Sequence, residues 1–493
     1  MMDIHNSSPV GRLFCLVSAI VLMGISISAQ SGSTFDPSFD ANVSAGSLGY
    51  VSEVVIQDDG RVLIGGDFGS VGGVVRRGIA RIHPDGQLDT SFDLGSGLYI
   101  NPNPPGTPQV NAHVRSIALQ PDGKILIAGA FDSVGGHHFR GLARLLSTGA
   151  VDMTFEGWVG EMAPVDEVAL QSDGRILIGG YGLGNQARFV RLNADGSYDN
   201  TFQTGTGLFP ASIPGIRVQQ DDHILLYGGF QSYDGVQRRG LIRLEPDGQV
   251  DESFAIGIGA NSSVGAMDLY PDGTILIGGR FTSINGVPRV SFARILSNGN
   301  IDPSFDAGTG AITDGSTASI REVKILSDGR ICCTGGWDFF QGQTSSSIMA
   351  CMLPNGDFDI SFGEVGTTSY ISIVAEQSDG RILIGGNFFN GPGAMVPRNK
   401  IARLMGNAVS VEGNEIDEVF DLYPNPTTDV VHVKLDEQSE RSLSLYNSLA
   451  QEVHRQRFTQ QTVIDLVDLP VGAYQVIVRD PGGVARVKRL VKL

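Results

Sequence analysis

QDDGRVLIGGDF, beginning at Gln57, and GIARIHPDGQLDTSF, beginning at Gly78, decide the fold of this chain. Each stretch sets an Asp-Gly turn between two short runs of β-branched and apolar residues. That pattern predicts a β-hairpin. Two hairpins make a four-stranded unit. Its strands are expected at about Val51–Gln57 (a), Arg61–Phe68 (b), Arg77–His83 (c) and Gln87–Asp93 (d).

The unit repeats. The first stretch returns as QPDGKILIAGAF at Gln120, QSDGRILIGGYG at Gln171, QQDDHILLYGGF at Gln219, YPDGTILIGGRF at Tyr270, LSDGRICCTGGWD at Leu326 and QSDGRILIGGNF at Gln377. The second returns as GLARLLSTGAVDMTF, RFVRLNADGSYDNTF, GLIRLEPDGQVDESF, SFARILSNGNIDPSF and IMACMLPNGDFDISF. Successive a–b turns lie 63, 51, 48, 51, 56 and 51 residues apart. Seven four-stranded units of this size predict an all-β, seven-bladed β-propeller, with an open solenoid as the weaker alternative.

The ends of the array favour a closed ring. The last repeat stops after KIARLMGNA without a D-x-x-F segment, while an orphan FDPSFD stands before the first repeat at Phe35–Asp40. The N-terminal segment is therefore expected to supply strand d of blade 7, leaving no free sheet edge. The Gly-Gly pair after each ILI run suits a place where backbones approach closely.

Strand c carries an Arg, and strand d an Asp eight residues later. The pairs are Arg81 and Asp89, Arg144 and Asp152, Arg191 and Asp199, Arg243 and Asp251, and Arg294 and Asp302. Arg403 would meet Asp36 through the ring closure. Residues symmetric about a turn are cross-strand neighbours, so these are expected to be structural ion pairs, with local turn capping by Asp as the alternative. Blade 6 departs from the pattern. Cys351 stands in the arginine position, and Cys332 and Cys333 replace the Leu-Ile of strand b. Strands b and c are adjacent, so Cys351 is placed to pair with one of the two, the sequence leaving open which.

Composition narrows the function. The chain has 493 residues, 35 Lys and Arg against 53 Asp and Glu, a net charge of −18, and 66 Gly. An acidic chain without basic stripes is poorly suited to nucleic acid. Arg12 followed by the uncharged run Leu13–Ile27, with Ser26, Ser28 and Ala29 offering small residues for cleavage, reads as a signal peptide over 1–29. The run is short for a membrane span, and no other stretch is apolar enough to be one. No nucleophile elbow, zinc-protease helix or phosphate loop occurs, so no catalytic residue is assigned. No cofactor is assigned. Calcium is compatible with the acidity, but the DG turns lack EF-hand spacing. The b–c and d–a connections vary between copies, and variable loops on a rigid scaffold are usual binding positions. The candidate binding residues on that rim are His113, His137, His138, Tyr233 and Arg238, none of them assigned to a metal.

The repeat consensus, from about Phe35 to Met405, closely resembles the delta-60 repeat family of bacterial propeller-like proteins. That resemblance implies an extracellular propeller over 31–408 and brings no catalytic residues with it. After a polar linker at 409–418, alternating apolar residues give about seven strands, a small β-sandwich over 419–493. Its YPNP motif (Tyr423, Pro424, Asn425 and Pro426), its LPVGAY turn (Leu469–Tyr474) and its basic last strand resemble the C-terminal sorting domain of type IX secretion in Bacteroidota. This implies passage to the cell surface or medium and a secretion machinery as partner. The expected role is a secreted or surface-displayed binding, adhesive or structural module that meets a surface glycan or protein. The alternative is a glycan hydrolase with carboxylates in the central depression.

Overall fold

A computed structural model describes residues 34–45, 49–100, 112–160, 164–181, 187–209, 215–344, 348–363, 365, 370–389, 399–406, 421–423, 427–435, 441–446, 452–470, 472–479 and 485–492. The expected signal peptide, the 409–418 linker and the residues Pro424, Asn425 and Pro426 lie outside these. The described residues contain no helix.

Seven three-stranded antiparallel sheets follow one another along the chain, each with strand b in the middle. Blade 1 is Tyr50–Ile56 (a), Val62–Asp67 (b) and Ile79–Ile82 (c). In the same order, blade 2 is His113–Leu119, Ile125–Ala130 and Leu142–Leu145, and blade 3 is Val165–Leu170, Ile176–Tyr181 and Ala187–Leu192. Blade 4 is Gly215–Val218, Ile224–Tyr227 and Leu241–Leu244, and blade 5 is Val264–Leu269, Ile275–Gly279 and Phe292–Ile295. Blade 6 is Ser319–Ile325, Ile331–Gly336 and Met349–Met352, and blade 7 is Ile371–Glu376, Ile382–Phe389 and Asn399–Leu404.

The expected fourth strand is a correction. Segment d pairs with strand c through a single bridge, such as Ile82 with Leu88 or Leu244 with Val250. The chain then turns away, because the Asp of each D-x-x-F binds its own backbone two residues on, as Asp89 Oδ1 does with Ser91 N at 2.9 Å.

Strands a form the inner wall, each touching the next, and that of blade 7 touches that of blade 1. Ser52 Oγ donates to Val114 O and Ser372 Oγ to Val51 O, both at 2.6 Å, so hydroxyls stitch blade 1 to 2 and 7 to 1. The Gly-Gly pairs sit where strands crowd. A Cβ on Gly385 of blade 7 would come 2.8 Å from Val51 Cγ1 of blade 1, and one on Gly66 would come 2.2 Å from Tyr50 O. Closure uses the N-terminal segment as expected. Phe35 bridges Leu404, Asp36 N donates to Arg403 O at 2.8 Å, and Met405 N donates to Thr34 O at 2.8 Å. Leu, Ile and Val of strand b fill the space between blades, and nearly all are fully buried.

The outer seams repeat the same ties. Arg Nε meets Asp Oδ2 at 2.7, 2.9, 2.8, 2.6 and 2.7 Å in blades 1 to 5, and Arg403 meets Asp36 at 2.9 Å in blade 7. The Arg side chain also covers the Phe of D-x-x-F, as Arg144 Cζ does at 4.7 Å from the Phe155 ring. The two readings of this Asp are both realised, since one carboxylate oxygen takes the Arg and the other caps the turn. The Arg then reaches beyond its own blade. Its Nη1 donates to a carbonyl in the c–d turn of the next blade, from Arg81 to Ser147, Arg144 to Ala194, Arg191 to Pro246, Arg243 to Ser297, Arg294 to Pro354 and Arg403 to Pro84. A main-chain N–H just past segment d reaches the same turn, for example Asp93 N to Thr148 O at 2.9 Å. The turn glycine is required twice over. Gly299 has φ +90°, and a Cβ there would lie 2.5 Å from Ala255 N of the preceding blade.

The b–c connections are a second correction. In blades 1, 2, 4, 5 and 6 they are small hairpins rather than variable loops. Their two central residues both have positive φ, as at Asn285 (49°) and Gly286 (76°), which is the type I′ hairpin geometry. Each docks on the d–a segment entering its blade, for example Ser133 opposite Tyr99.

The C-terminal residues form two sheets over one core. Asp421–Tyr423, Val430–Lys434 and Gln461–Asp465 make one, and Glu452–Phe458, Arg441–Tyr446, Gly472–Arg479 and Ala485–Lys492 the other. Val431, Val433 and Ile464 from the first meet Leu443, Leu445, Val476 and Leu490 from the second. The two sheets share this one core.

Candidate functional site in the axial channel

Strand a is where the blades differ. In six blades it carries a β-bulge at the same place, between Val51 and Glu53, Val114 and Ser116, Val165 and Glu167, Val264 and Ala266, Ile320 and Glu322, and Ile371 and Ile373. A bulge sets two residues opposite one and re-aims a side chain. Consecutive residues therefore line the same space: Ser52 with Glu53, Arg115 with Ser116, Arg321 with Glu322, and Ser372 with Ile373. Arg217 and Tyr227 of blade 4 and Gly265 of blade 5 complete a cavity of about 460 Å³ to which all seven blades contribute. A cavity bounded by every blade lies on the axis of the ring.

Its chemistry is ionic and hydroxylic. Arg217 Nη1 donates to Glu167 Oε1 at 3.0 Å and to its own neighbour's carbonyl, Ile216 O, at 2.9 Å. Arg217 Cζ stands 5.7 Å from the Tyr227 ring. Arg115 pairs with Asp166 and donates from Nε to His113 Nε2 at 2.8 Å. Lys324 Nζ meets Asp268 Oδ2 at 3.1 Å just outside the cavity. Glu167 bonds Arg217, and Glu53 and Glu322 line the same cavity within reach of the Arg217 charge, as do Arg115 and Arg321 on its wall. Each carboxyl keeps part of its surface open to the channel while protein surrounds it. Burial pushes the Glu167 carboxyl up to about 7 against the opposing pull of Arg217. Burial also pushes Glu322 up to about 8 and holds Glu53 well above the ordinary range, where the Glu167 and Glu322 charges add to the rise. Near neutral pH the cluster thus holds protonated and ionised carboxyls side by side, both donors and acceptors.

Aromatic rings stand at the upstream ends of the inner strands. The Tyr50 and His113 rings lie 6.2 Å apart, and Arg321 Cζ lies 4.3 Å from the Tyr370 ring. Burial, then the Arg115 charge, holds His113 below its ordinary value.

Of the rim candidates, the structure brings His113 to this site. His137 and His138 are exposed in the blade 2 hairpin. Arg238 is in the blade 4 b–c connection, donating to Gln237 O at 3.0 Å. Tyr233 is corrected. It is 1 % exposed, packs in the core between blades 3 and 4, and its hydroxyl donates to Gly248 O at 3.0 Å. Glu53, Glu167, Arg217 and Glu322 were missed by sequence reasoning. Their signal is a change of charge from copy to copy at two positions inside an otherwise apolar V-x-x-V strand. His223, Glu245 and Asp251 are the one group of possible metal ligands among the described residues. Asp251 Oδ2 is already engaged by Arg243 at 2.6 Å, and His223 occupies the position that Arg61, Lys124 and Arg175 hold beside the same Asp in other blades.

The sequence matches the domain of unknown function DUF5122, a beta-propeller, over residues 57–92, 120–155, 171–202, 219–254, 271–305 and 377–407. It matches the secretion system C-terminal sorting domain over residues 421–492. The chain carries DUF5122 propeller repeats and a type IX secretion sorting domain. It is therefore an exported β-propeller, directed to the cell surface or the medium through contact of its sorting domain with the secretion machinery. The DUF5122 repeat outside the matched residues is that of blade 6, where the cysteines stand. No curated protein matches the sequence. Among solved structures, the extracellular domain of BT4673 from B. thetaiotaomicron, described as a hybrid two component system, shows 12 % identity over 90 % of this chain and 56 % of its own length, with a TM-score of 0.44. A fungal alcohol oxidase of the AA5 family in complex with copper shows 14 % identity over 93 % of this chain and 99 % of its own, TM-score 0.40. The gluconolactonase XC5397 from Xanthomonas campestris shows 11 % identity over 75 % and 97 %, TM-score 0.37. No helix among the described residues is long and apolar enough to cross a membrane.

Proposed function

We propose that this exported propeller is a binding module that captures a small hydroxyl-rich ligand, of the glycan class, in its axial cavity. The observation that carries the reading is the bulged inner strand. It turns pairs of polar side chains from different blades into one cavity of about 460 Å³, within the usual range for a small-molecule site. Carboxyls and guanidiniums that face one another offer the paired donors and acceptors that sugar hydroxyls use. The Tyr50, His113 and Tyr370 rings at the strand ends offer faces for stacking.

A second reading, a glycan hydrolase, is favoured by one specific observation. Glu167 and Glu322 titrate near neutrality, and general acid and base catalysis needs a protonated and an ionised carboxyl at working pH.

The test is a glycan binding screen of the exported protein beside a hydrolysis assay on the same glycans. Saturable binding without turnover, lost in Arg217→Met and kept in His137→Ala/His138→Ala, supports the binding module. Turnover lost in Glu322→Gln supports the hydrolase. Binding that depends on His137 and His138 instead moves the site to the rim.

A further inference from the structure

Six of the seven seams between blades carry the double tie described above, an Arg guanidinium and a main-chain N–H both delivered to the c–d turn of the next blade. The seam from blade 6 to blade 7 cannot. Blade 7 takes its segment d from the N-terminus, where Phe35 bridges Leu404 at the end of strand c, so among the described residues no c–d hairpin receives the tie. An Arg at position 351 would be buried with part of its guanidinium unpaired, and buried unpaired donors are costly. This is the one blade in which the strand c arginine is replaced. Cys351 lies opposite Cys332, in the register that elsewhere pairs Leu63 with Arg81 and Leu383 with Arg403, and the two form a disulfide with Cα atoms 4.1 Å apart. Both cysteines are fully buried, and they share a core cluster with Ile371, Val374, Ile384, Ala402 and Leu404 of blade 7. Asp359 keeps the strand b contact seen in other blades, Arg330 Nη1 at 3.4 Å, as Asp89 keeps Arg61 at 3.2 Å.

We propose that Cys332–Cys351 is an oxidation-dependent staple of strands b and c of blade 6, packed against blade 7, filling the place that the repeat's arginine cannot occupy where the ring closes. The two thiols lose two protons and two electrons to a disulfide oxidant, which leaves as a dithiol. The periplasm is a compartment where that exchange proceeds. The propeller therefore reaches its final stability only after leaving the cytosol.

The test compares the full chain with Cys332→Ala/Cys351→Ala and with Cys332→Leu/Cys351→Arg, which restores the repeat consensus. Thermal unfolding and amide hydrogen exchange are read blade by blade. Both variants are expected to melt roughly 5 °C lower. Exchange in strands a to c of blades 6 and 7 should rise about tenfold or more, with blades 2 and 3 unchanged. The mirror variant Leu126→Cys/Arg144→Cys, which trades a working tie for a disulfide in blade 2, should not gain stability. Recovery of the wild-type midpoint by the Leu and Arg pair would overturn the proposal. So would an increase in exchange spread evenly over all blades, or no change in either variant.

Discussion

The outer seams and the axis of this propeller are built from the same repeats and obey opposite rules. At the seams, six Arg and Asp pairs hold one geometry within a few tenths of an ångström. At the axis, the bulged positions read Ser-Glu, Arg-Ser, Asp-Glu, Gly-Ala, Arg-Glu and Ser-Ile from blade to blade. A position that must be alike in every blade serves the ring. A position free to differ serves whatever sits in the middle. Seam charges are paired on every side. The axial carboxyls Glu53, Glu167 and Glu322 share the cavity with Arg115, Arg217 and Arg321 and are held against their own desolvation. The ring thus stores strain of charge at its centre and relieves it at its edge.

The largest effect should come from breaking a seam. Arg144→Ala takes the guanidinium from the buried carboxylate of Asp152, leaving Lys124 Nζ at 3.4 Å as its remaining cation, and frees the Ala194 carbonyl, so it should cost about 3 kcal/mol in denaturant unfolding. The axis should respond with the opposite sign. Glu167→Gln/Glu322→Gln removes two carboxyls that burial disfavours as anions and should raise stability at pH 8 by about 2 kcal/mol. Equal losses at both places would erase the distinction.

The pH dependence sharpens it further. Glu167 and Glu322 have folded values raised above the ordinary carboxylate range, to about 7 and about 8. The folded state then holds more protons than the unfolded one between about 4.5 and 8. Their contribution is complete below about pH 4.5 and is lost as pH rises through 7 and 8. The seam aspartates run the other way. Burial opposes the ionised form of Asp152, but hydrogen bonds from Thr154 and the Arg144 charge outweigh it and hold the carboxyl down at about 2. Stability from that source is lost as pH falls below about 4. Melting temperatures across pH should therefore peak between about 4 and 5 and fall from there to about 8, and the double Gln variant should flatten only the alkaline side.

Smaller effects mark the remaining positions. Tyr233→Phe deletes a buried hydroxyl whose acceptor is Gly248 O and should cost about 1 kcal/mol. His137→Ala/His138→Ala on the exposed hairpin should change stability by less than about 0.5 kcal/mol and leave ligand binding untouched.

The same contrast explains what was legible in the sequence. The seams were readable because repetition exposes them. Arg81 and Asp89, seen once, are two charged residues, but the same pair in six copies about a turn is a contact. Ring closure was readable from an orphan FDPSF and a missing partner. The axis was hidden because the position that holds Glu53, Glu167 and Glu322 holds Ser116, Ala266 and Ile373 in other blades, so no one residue type repeats around the ring. A bulge that aims consecutive side chains inward also leaves no mark in a pattern read with a period of two. Segment d was overestimated because its Asp caps a local turn with one carboxylate oxygen, which bends the chain away from strand c after a single bridge. The b–c hairpins could have been found, since Gly72-Gly73, Asp234-Gly235, Asn285-Gly286 and Gln341-Gly342 each fall at the two-residue turn that a type I′ hairpin needs. Tyr233 was misplaced because that hairpin folds back onto the blade rather than standing out from the rim.

The most direct measurement is stability and ligand capture in one protein, Glu167→Gln/Glu322→Gln, at pH 8. The predicted result is a higher melting temperature together with loss of glycan binding, the combination expected where charge is kept for function at a cost to the fold. A lower melting temperature with binding retained would contradict the account, because the axial carboxyls would then belong to the scaffold.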